Sequence, residues 1–272
     1  GDEMNIHIPQ TEEAQTEAEM LMKVENHIRS PRYGAPIIAC KHDHITGCYF
    51  LTKKETKLGK KEASSLLFSL GIDDFESKDE YSGKEIFSMI LPKGLNITFK
   101  SAVAECKCRP DDCEHDSWVV IKNGVLKKGV IDDNALGEKK GRLIDAIERL
   151  YGPETARKFL DNVSRLALET ISLKGFSIAL SDTDITERAE KKIEELVEEY
   201  NSIVSRLIKD YEAGKMKKLG GLAEETALEN RILQAGGEIS NQANEVIKKD
   251  LPFNAAVLMA KTGARGSFVN LT

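Results

Sequence analysis

Four metal donors crowd into one stretch of the chain. Cys106, Cys108, Cys113 and His115 stand within ten residues, and thiolates with an imidazole are a donor set that Zn²⁺ favours. Their spacing, Cys-x-Cys-x₄-Cys-x-His, departs from the common structural-zinc patterns, so a polar loop of reduced cysteines that bind nothing competes with the metal reading. A second group, Cys40, His42, His44 and Cys48, falls in a stretch read as extended, where the first three share a face. There the burial of cysteine as a small apolar residue outweighs a metal. Two carboxylates, Asp2 and Glu3, follow Gly1 at the other extreme of the chain. A Gly-Asp turn can hold Mg²⁺, yet on chemistry alone these are solvated terminal charges.

Near the last residues, Lys261-Thr262-Gly263-Ala264-Arg265-Gly266-Ser267 sets cations, glycines and hydroxyls in a short loop after an apolar helix. Such a loop suits phosphate or RNA-backbone contact, with Lys261 and Arg265 as the candidate donors. A turn of solvated charges is the alternative. Lys215, Lys217 and Lys218 at a helical tip invite the same two readings, and there solvation is the better one. The sequence has no Gly-rich phosphate loop ending in Lys-Ser or Lys-Thr, no dinucleotide fingerprint and no zinc-protease motif. No catalytic triad is suggested.

The elements that must position these groups follow from composition and periodicity. At 272 residues the chain is long enough for two domains. It is 40% hydrophobic and 31% charged, with no apolar run near the ~20 residues a bilayer span requires, so no membrane partner is expected. The odd count of five cysteines argues against a disulfide framework, and with no signal-peptide pattern a cytoplasmic location is expected. A net charge of −6 excludes a broad basic surface for wrapping nucleic acid and leaves room for a local basic patch.

Helices are predicted over residues 12–24, 60–70, 84–90, 142–150 and 153–174, from apolar stripes, Pro153 at a first helical position and Gly71 and Gly175 at the ends. Residues 37–52 read as extended segments around Gly47, and residues 96–105 as a strand. Lys122-Asn123-Gly124 between two β-rich runs, 117–121 and 125–131, predicts a hairpin. Asp184 with Glu187 forms an expected capping box for the longest helix. Its stripe from Ile185 to Tyr211 must pack on a return arm over residues 222–249, which Gly236-Gly237 weakens locally. The expected fold class is α+β: a mixed region with a β-hairpin over residues 1–182, then an all-helical region over 183–272 with a long antiparallel helical hairpin.

Several stretches in collinear order resemble one family. Gly1-Asp2-Glu3-Met4-Asn5-Ile6-His7-Ile8-Pro9-Gln10 resembles the end of the active-site loop, Asn-Ala-Asp-Phe-Asp-Gly-Asp-Glu-Met-Asn, in the largest subunit of multisubunit DNA-directed RNA polymerases. Ser30-Pro31-Arg32-Tyr33-Gly34 and His42-Asp43-His44-Ile45-Thr46-Gly47 are similar to its archaeal form. Gly83-Lys84-Glu85-Ile86-Phe87-Ser88-Met89-Ile90-Leu91-Pro92, Gly175-Phe176-Ser177-Ile178 and Gly263-Ala264-Arg265-Gly266-Ser267-Phe268-Val269-Asn270 extend the match. The resemblance implies a pore region up to about Asp182, then a funnel. These would form the channel below the active site for NTP entry, for the 3′ end of backtracked RNA and for a transcript-cleavage factor, among the other polymerase subunits. It makes Asp2 the third aspartate of the motif that holds catalytic Mg²⁺. With the first two falling before Gly1, this polypeptide alone is expected to bind Mg²⁺ poorly and to lack polymerase activity. The rival is a stand-alone interaction module, a helical hairpin with a zinc-stapled loop.

Overall fold

The structure, a computed structural model, describes residues 3–103, 106, 108–113, 115–138, 140–215, 224–251 and 254–266. Asp2, Lys217, Lys218 and Ser267 lie outside the described residues. Two compact units are present, one of Gly1–Phe176 with Lys261–Ala264 and one of Ser177–Ala260 with Arg265–Thr272.

The first unit opens with α1 (Glu12–Leu21), capped by the Thr11 hydroxyl, which accepts from the Ala14 N–H at 3.2 Å. None of its residues is buried. The core lies further on, in α2 (Asp43–Thr52), α3 (Lys60–Ser69), α4 (Gly83–Ser88), α6 (Arg142–Tyr151) and α7 (Pro153–Lys174), with the short α5 (Asp133–Leu136). Two small antiparallel sheets complete it: β1 (Lys57–Gly59) with β2 (Glu80–Ser82), and β3 (Ile97–Lys100), β4 (Trp118–Lys122) and β5 (Val125–Lys128) in that order. The β4–β5 hairpin turns on Asn123 at φ 50° and Gly124 at φ 76°, the two positive dihedrals that a type I′ turn needs.

Residues 43–52, expected as extended, form α2. The reason is burial on nearly every side, since Ile45, Thr46, Gly47, Cys48, Tyr49, Leu51 and Thr52 are all buried. A helix without a polar face leaves no 3.6-residue period to read, and its β-branched and aromatic residues mimic a strand. Gly47 makes the burial possible: a Cβ there would run into the Ala167 carbonyl of α7. Gly83, at the start of α4, likewise comes under the Leu51 carbonyl of α2. At the end of α2 the buried Thr52 hydroxyl donates to the Cys48 carbonyl at 2.7 Å and accepts from the Ile131 N–H at 2.9 Å. Cys40 and Cys48 belong to this core. Burial pushes the Cys40 thiol up to about 12 and raises Cys48 well above its usual value, so neither is a ready thiolate.

Asp132 ties the end of the sheet to the cysteine-bearing loop between β3 and β4. Fully buried, it accepts from the N–H groups of Ala102 at 2.5 Å, Val103 at 3.1 Å and Asn134 at 3.0 Å. Burial pushes its carboxyl up to about 6, against the lowering effect of those three donors.

In the second unit, α8 (Glu187–Glu212) and α9 (Glu224–Asp250) form the hairpin. Thr186, and not Asp184, caps α8, its hydroxyl accepting from Ala189 at 3.2 Å. The arms run antiparallel: Thr186 bonds Asp250 at 2.8 Å, and the Tyr200 ring covers Gly236 halfway along. Helix α9 is continuous through Gly236-Gly237. Asn254 caps α10 (Ala255–Thr262), accepting from Val257 at 3.1 Å.

Glycine packing and the buried acid each give a measurable outcome. Gly47→Ala is expected to lower stability by about 1–3 kcal/mol because backbone opposes the new methyl, whereas Gly237→Ala, with open space around it, should raise it by about 0.5–1 kcal/mol; urea unfolding of both variants reads the two signs. For Asp132, a folded pKa above the unfolded value means that the fold favours the neutral acid, so its contribution is lost as pH rises from about 4 through about 6. The stability difference between the parent chain and Asp132→Asn should therefore fall by about 2 kcal/mol between pH 4 and pH 7. A pH-independent difference would contradict it.

Candidate metal centre and cationic cleft

The loop between β3 and β4 carries the cysteines, and the bonds that hold it explain where they go. Its two ends are joined where Ser101 N–H donates to Ser117 at 3.0 Å. The Trp118 indole donates to the Cys108 carbonyl at 2.9 Å, and Lys128 donates to the Asp111 carbonyl at 2.9 Å. Asp116 accepts from the Lys54 N–H at 3.0 Å and forms an ion pair with Lys84 at 2.6 Å. So strand residues and lysines from distant segments fold the loop back on itself.

That folding gathers the sulfurs of Cys106, Cys108 and Cys113, which all lie within 4.8 Å of one another. Cys113 is buried and the other two are half-buried. Cys106 and Cys108 are joined by a disulfide, and the Cys106 and Cys113 sulfurs are 3.6 Å apart. Three soft donors this close can hold a metal once they are thiolates. The His115 ring is not part of the group; its carbonyl accepts from the Cys113 thiol at 2.7 Å. Cys40, His42, His44 and Cys48 do not converge into such a group.

His115 instead lines two clefts that flank the loop, each of about 320 Å³. In the first it meets Cys106, Tyr49, Lys53, Asp116 and Lys261. Sequence reading treated the cysteine loop and the Lys261 region as separate features, and here they share a wall. Lys53 stands 5.7 Å over the Tyr49 ring. Its charge is felt nearby, where burial first and Lys53 second hold the Lys174 ammonium below its ordinary value. The second cleft is lined by Lys54, Lys84, Lys127 and Lys128 with Cys113 and Asp116. Both are local cationic patches in a chain of net charge −6 and suit an anion. Arg265 is exposed, on the turn bounded by Gly263 at φ 76° and Gly266 at φ 76°.

Sequence reasoning missed Lys53, Tyr49 and Asp132. The Lys53-Lys54 doublet was a visible signal, but it acquires a place only when residues 43–52 are a helix that ends beside the loop. Asp132 offered only an acid after an apolar run.

Comparison with known proteins places these features in a family. Residues 27–183 match the family model for RNA polymerase Rpb1, domain 3, and residues 208–272 match that for RNA polymerase Rpb1, domain 4. DNA-directed RNA polymerase subunit Rpo1N of Methanocaldococcus jannaschii is 44% identical over 283 aligned residues, which take in 100% of this chain and 21% of that protein. The Rpo1N proteins of Methanothermobacter thermautotrophicus and Halobacterium salinarum are 42% and 36% identical, again over 100% of this chain and over 32% and 28% of their own lengths. The chain thus spans about a fifth to a third of these relatives. No helix among the described residues is long and apolar enough to cross a membrane. With a single family model covering more than half of its length and the second following in order, the chain belongs to the Rpb1 family, the largest subunit of RNA polymerase in its archaeal form.

Proposed function

We propose that this chain forms the pore and funnel below the active centre of a DNA-directed RNA polymerase. Nucleoside triphosphates and the 3′ end of backtracked RNA pass along it, and a transcript-cleavage factor docks on the funnel among the other subunits. The observation that carries the reading is the order of matches: domain 3 over residues 27–183, then domain 4 over residues 208–272, the second including the cationic turn. The local chemistry agrees with it. Lys261 and Lys53 concentrate positive charge in one cleft of the first unit, and Arg265 is exposed on a glycine-bounded turn, where a guanidinium can take phosphate oxygens bidentately. The pore is assigned to residues 1–182 and the funnel to residues 183–272.

Nucleotidyl transfer by such an enzyme uses Mg²⁺ held by several carboxylates. Asp2 would give one of them, and one carboxylate does not make the site, so the isolated polypeptide is assigned no polymerase activity. For the cysteine loop we propose Zn²⁺. The Cys106 and Cys113 sulfurs are 3.6 Å apart, and once a thiol reductant has opened the Cys106–Cys108 disulfide the three thiolates would be close enough to share one ion. The three cysteine sulfurs would hold the ion, and the His115 ring lies outside that group. Held this way, Cys106, Cys108 and Cys113 would be tied together in the loop that walls the Lys53–Lys261 cleft.

Two measurements test these assignments. In the assembled polymerase, Arg265→Glu should slow elongation or alter transcript cleavage after backtracking by about tenfold, the scale of one lost charge-assisted hydrogen bond; unchanged elongation and backtracking would remove Arg265 from the phosphate path. The chain purified under reducing conditions should carry about one equivalent of zinc by elemental analysis, and Cys113→Ser should lose most of it. Substoichiometric metal in the reduced parent chain would argue for cysteines that bind nothing.

A further inference from the structure

We propose, independently of the polymerase assignment, that the open edge of β3 is a docking site for an extended acidic segment of a partner protein, which adds to the β3-β4-β5 sheet as a fourth strand. The register pairs Ile97 with Ile121 and Phe99 with Val119, and Ser101 N–H continues the ladder by donating to Ser117. Alternation along an antiparallel pair then turns the backbone groups of Thr98 and Lys100 away from β4. The Lys100 carbonyl accepts from the Asn134 side-chain amide at 3.1 Å. The Thr98 N–H and carbonyl and the Lys100 N–H have no partner among the described residues.

These groups open into a groove of about 920 Å³ whose far wall is made by the Tyr33–Pro36 turn and by α6. Its charge selects the occupant. Lys100, Lys140, Arg142 and Arg149 line it against a single carboxylate, Asp145, and that one is already paired with Arg29 at 2.6 Å and with Arg149 at 3.0 Å. Lys140 is paired with Asp133 at 3.1 Å, whereas Lys100 and Arg142 have no ion-pair partner among the described residues. Lysine on an open edge repels a second copy of the same edge and admits a strand with acidic side chains. A strand fits better than RNA because the unmet donors and acceptor recur at alternate residues on one edge, which a peptide backbone can complete and a sugar-phosphate chain cannot.

The test uses the full 272-residue chain and a fluorescein-labelled octapeptide that alternates valine and glutamate, read by fluorescence anisotropy. A valine–lysine octapeptide and a labelled single-stranded RNA serve as controls. The valine–glutamate peptide should bind at least tenfold more tightly than either control. Because the Thr98 N–H points outward, Thr98→Pro costs no ladder bond, and it should abolish peptide binding while Thr98→Ala stays within twofold. Should Thr98→Pro shift the unfolding midpoint, the Lys100→Glu, Arg142→Glu double variant decides, with an expected loss of at least tenfold. No peptide binding, or binding that survives these variants, overturns the proposal. RNA binding tighter than peptide, lost on charge reversal but kept in Thr98→Pro, overturns it in favour of a nucleic-acid groove.

Discussion

The first unit depends on one close approach, the backbone of α2 against the backbone of α7 at Gly47 and Ala167. No side chain larger than hydrogen fits between Gly47 and the Ala167 carbonyl, so the residue that would weaken an exposed helix here lets two helices meet. With α7 on one side and Gly83 of α4 under its last carbonyls, α2 is buried almost all round. Its exit is thereby fixed. Thr52 bonds the backbone just after β5, and Lys53 is delivered to the cleft beside the cysteine loop.

The loop itself has little apolar material, and polar bonds do the positioning. Trp118, Lys128, Lys84 and the backbone of Lys54 each hold one part of it, and Asp132 holds its beginning. These attachments come from both sides of the loop in sequence. They bring the three sulfurs together while leaving His115 facing the clefts. Charge follows the same logic: an acidic chain overall collects Lys53 with Lys261 in one cleft, and Lys54, Lys84, Lys127 and Lys128 in the other.

Much of the fold was legible where a local signal was unopposed. Pro153, Gly175 and Asn123-Gly124 each acted as their chemistry predicts, and the antiparallel arms of α8 and α9 follow from stripes that had to meet. Legibility failed at α2, because burial erased its periodicity, and at Asp184, because Thr186 lay closer to the true start of α8. The closeness of Cys106, Cys108 and Cys113 in sequence was visible, and the structure brings their sulfurs together without the His115 ring. The meeting of Cys106 with Lys53 and Lys261 in one cleft could not be read, since that depends on the Gly47 contact and on packing across more than two hundred residues. The acceptor role of Asp132 was equally hidden, being set by the backbone of a loop thirty residues earlier.

On the proposed function, this chain borders the path of the RNA 3′ end. The most direct measurement places a photoreactive 4-thiouridine at the 3′ end of RNA in a backtracked complex of the assembled polymerase and maps the crosslinked peptides. Label on peptides that contain Lys53 or the stretch from Lys261 to Arg265 is the predicted result. Efficient crosslinking to other parts of the enzyme with none to this chain would contradict it.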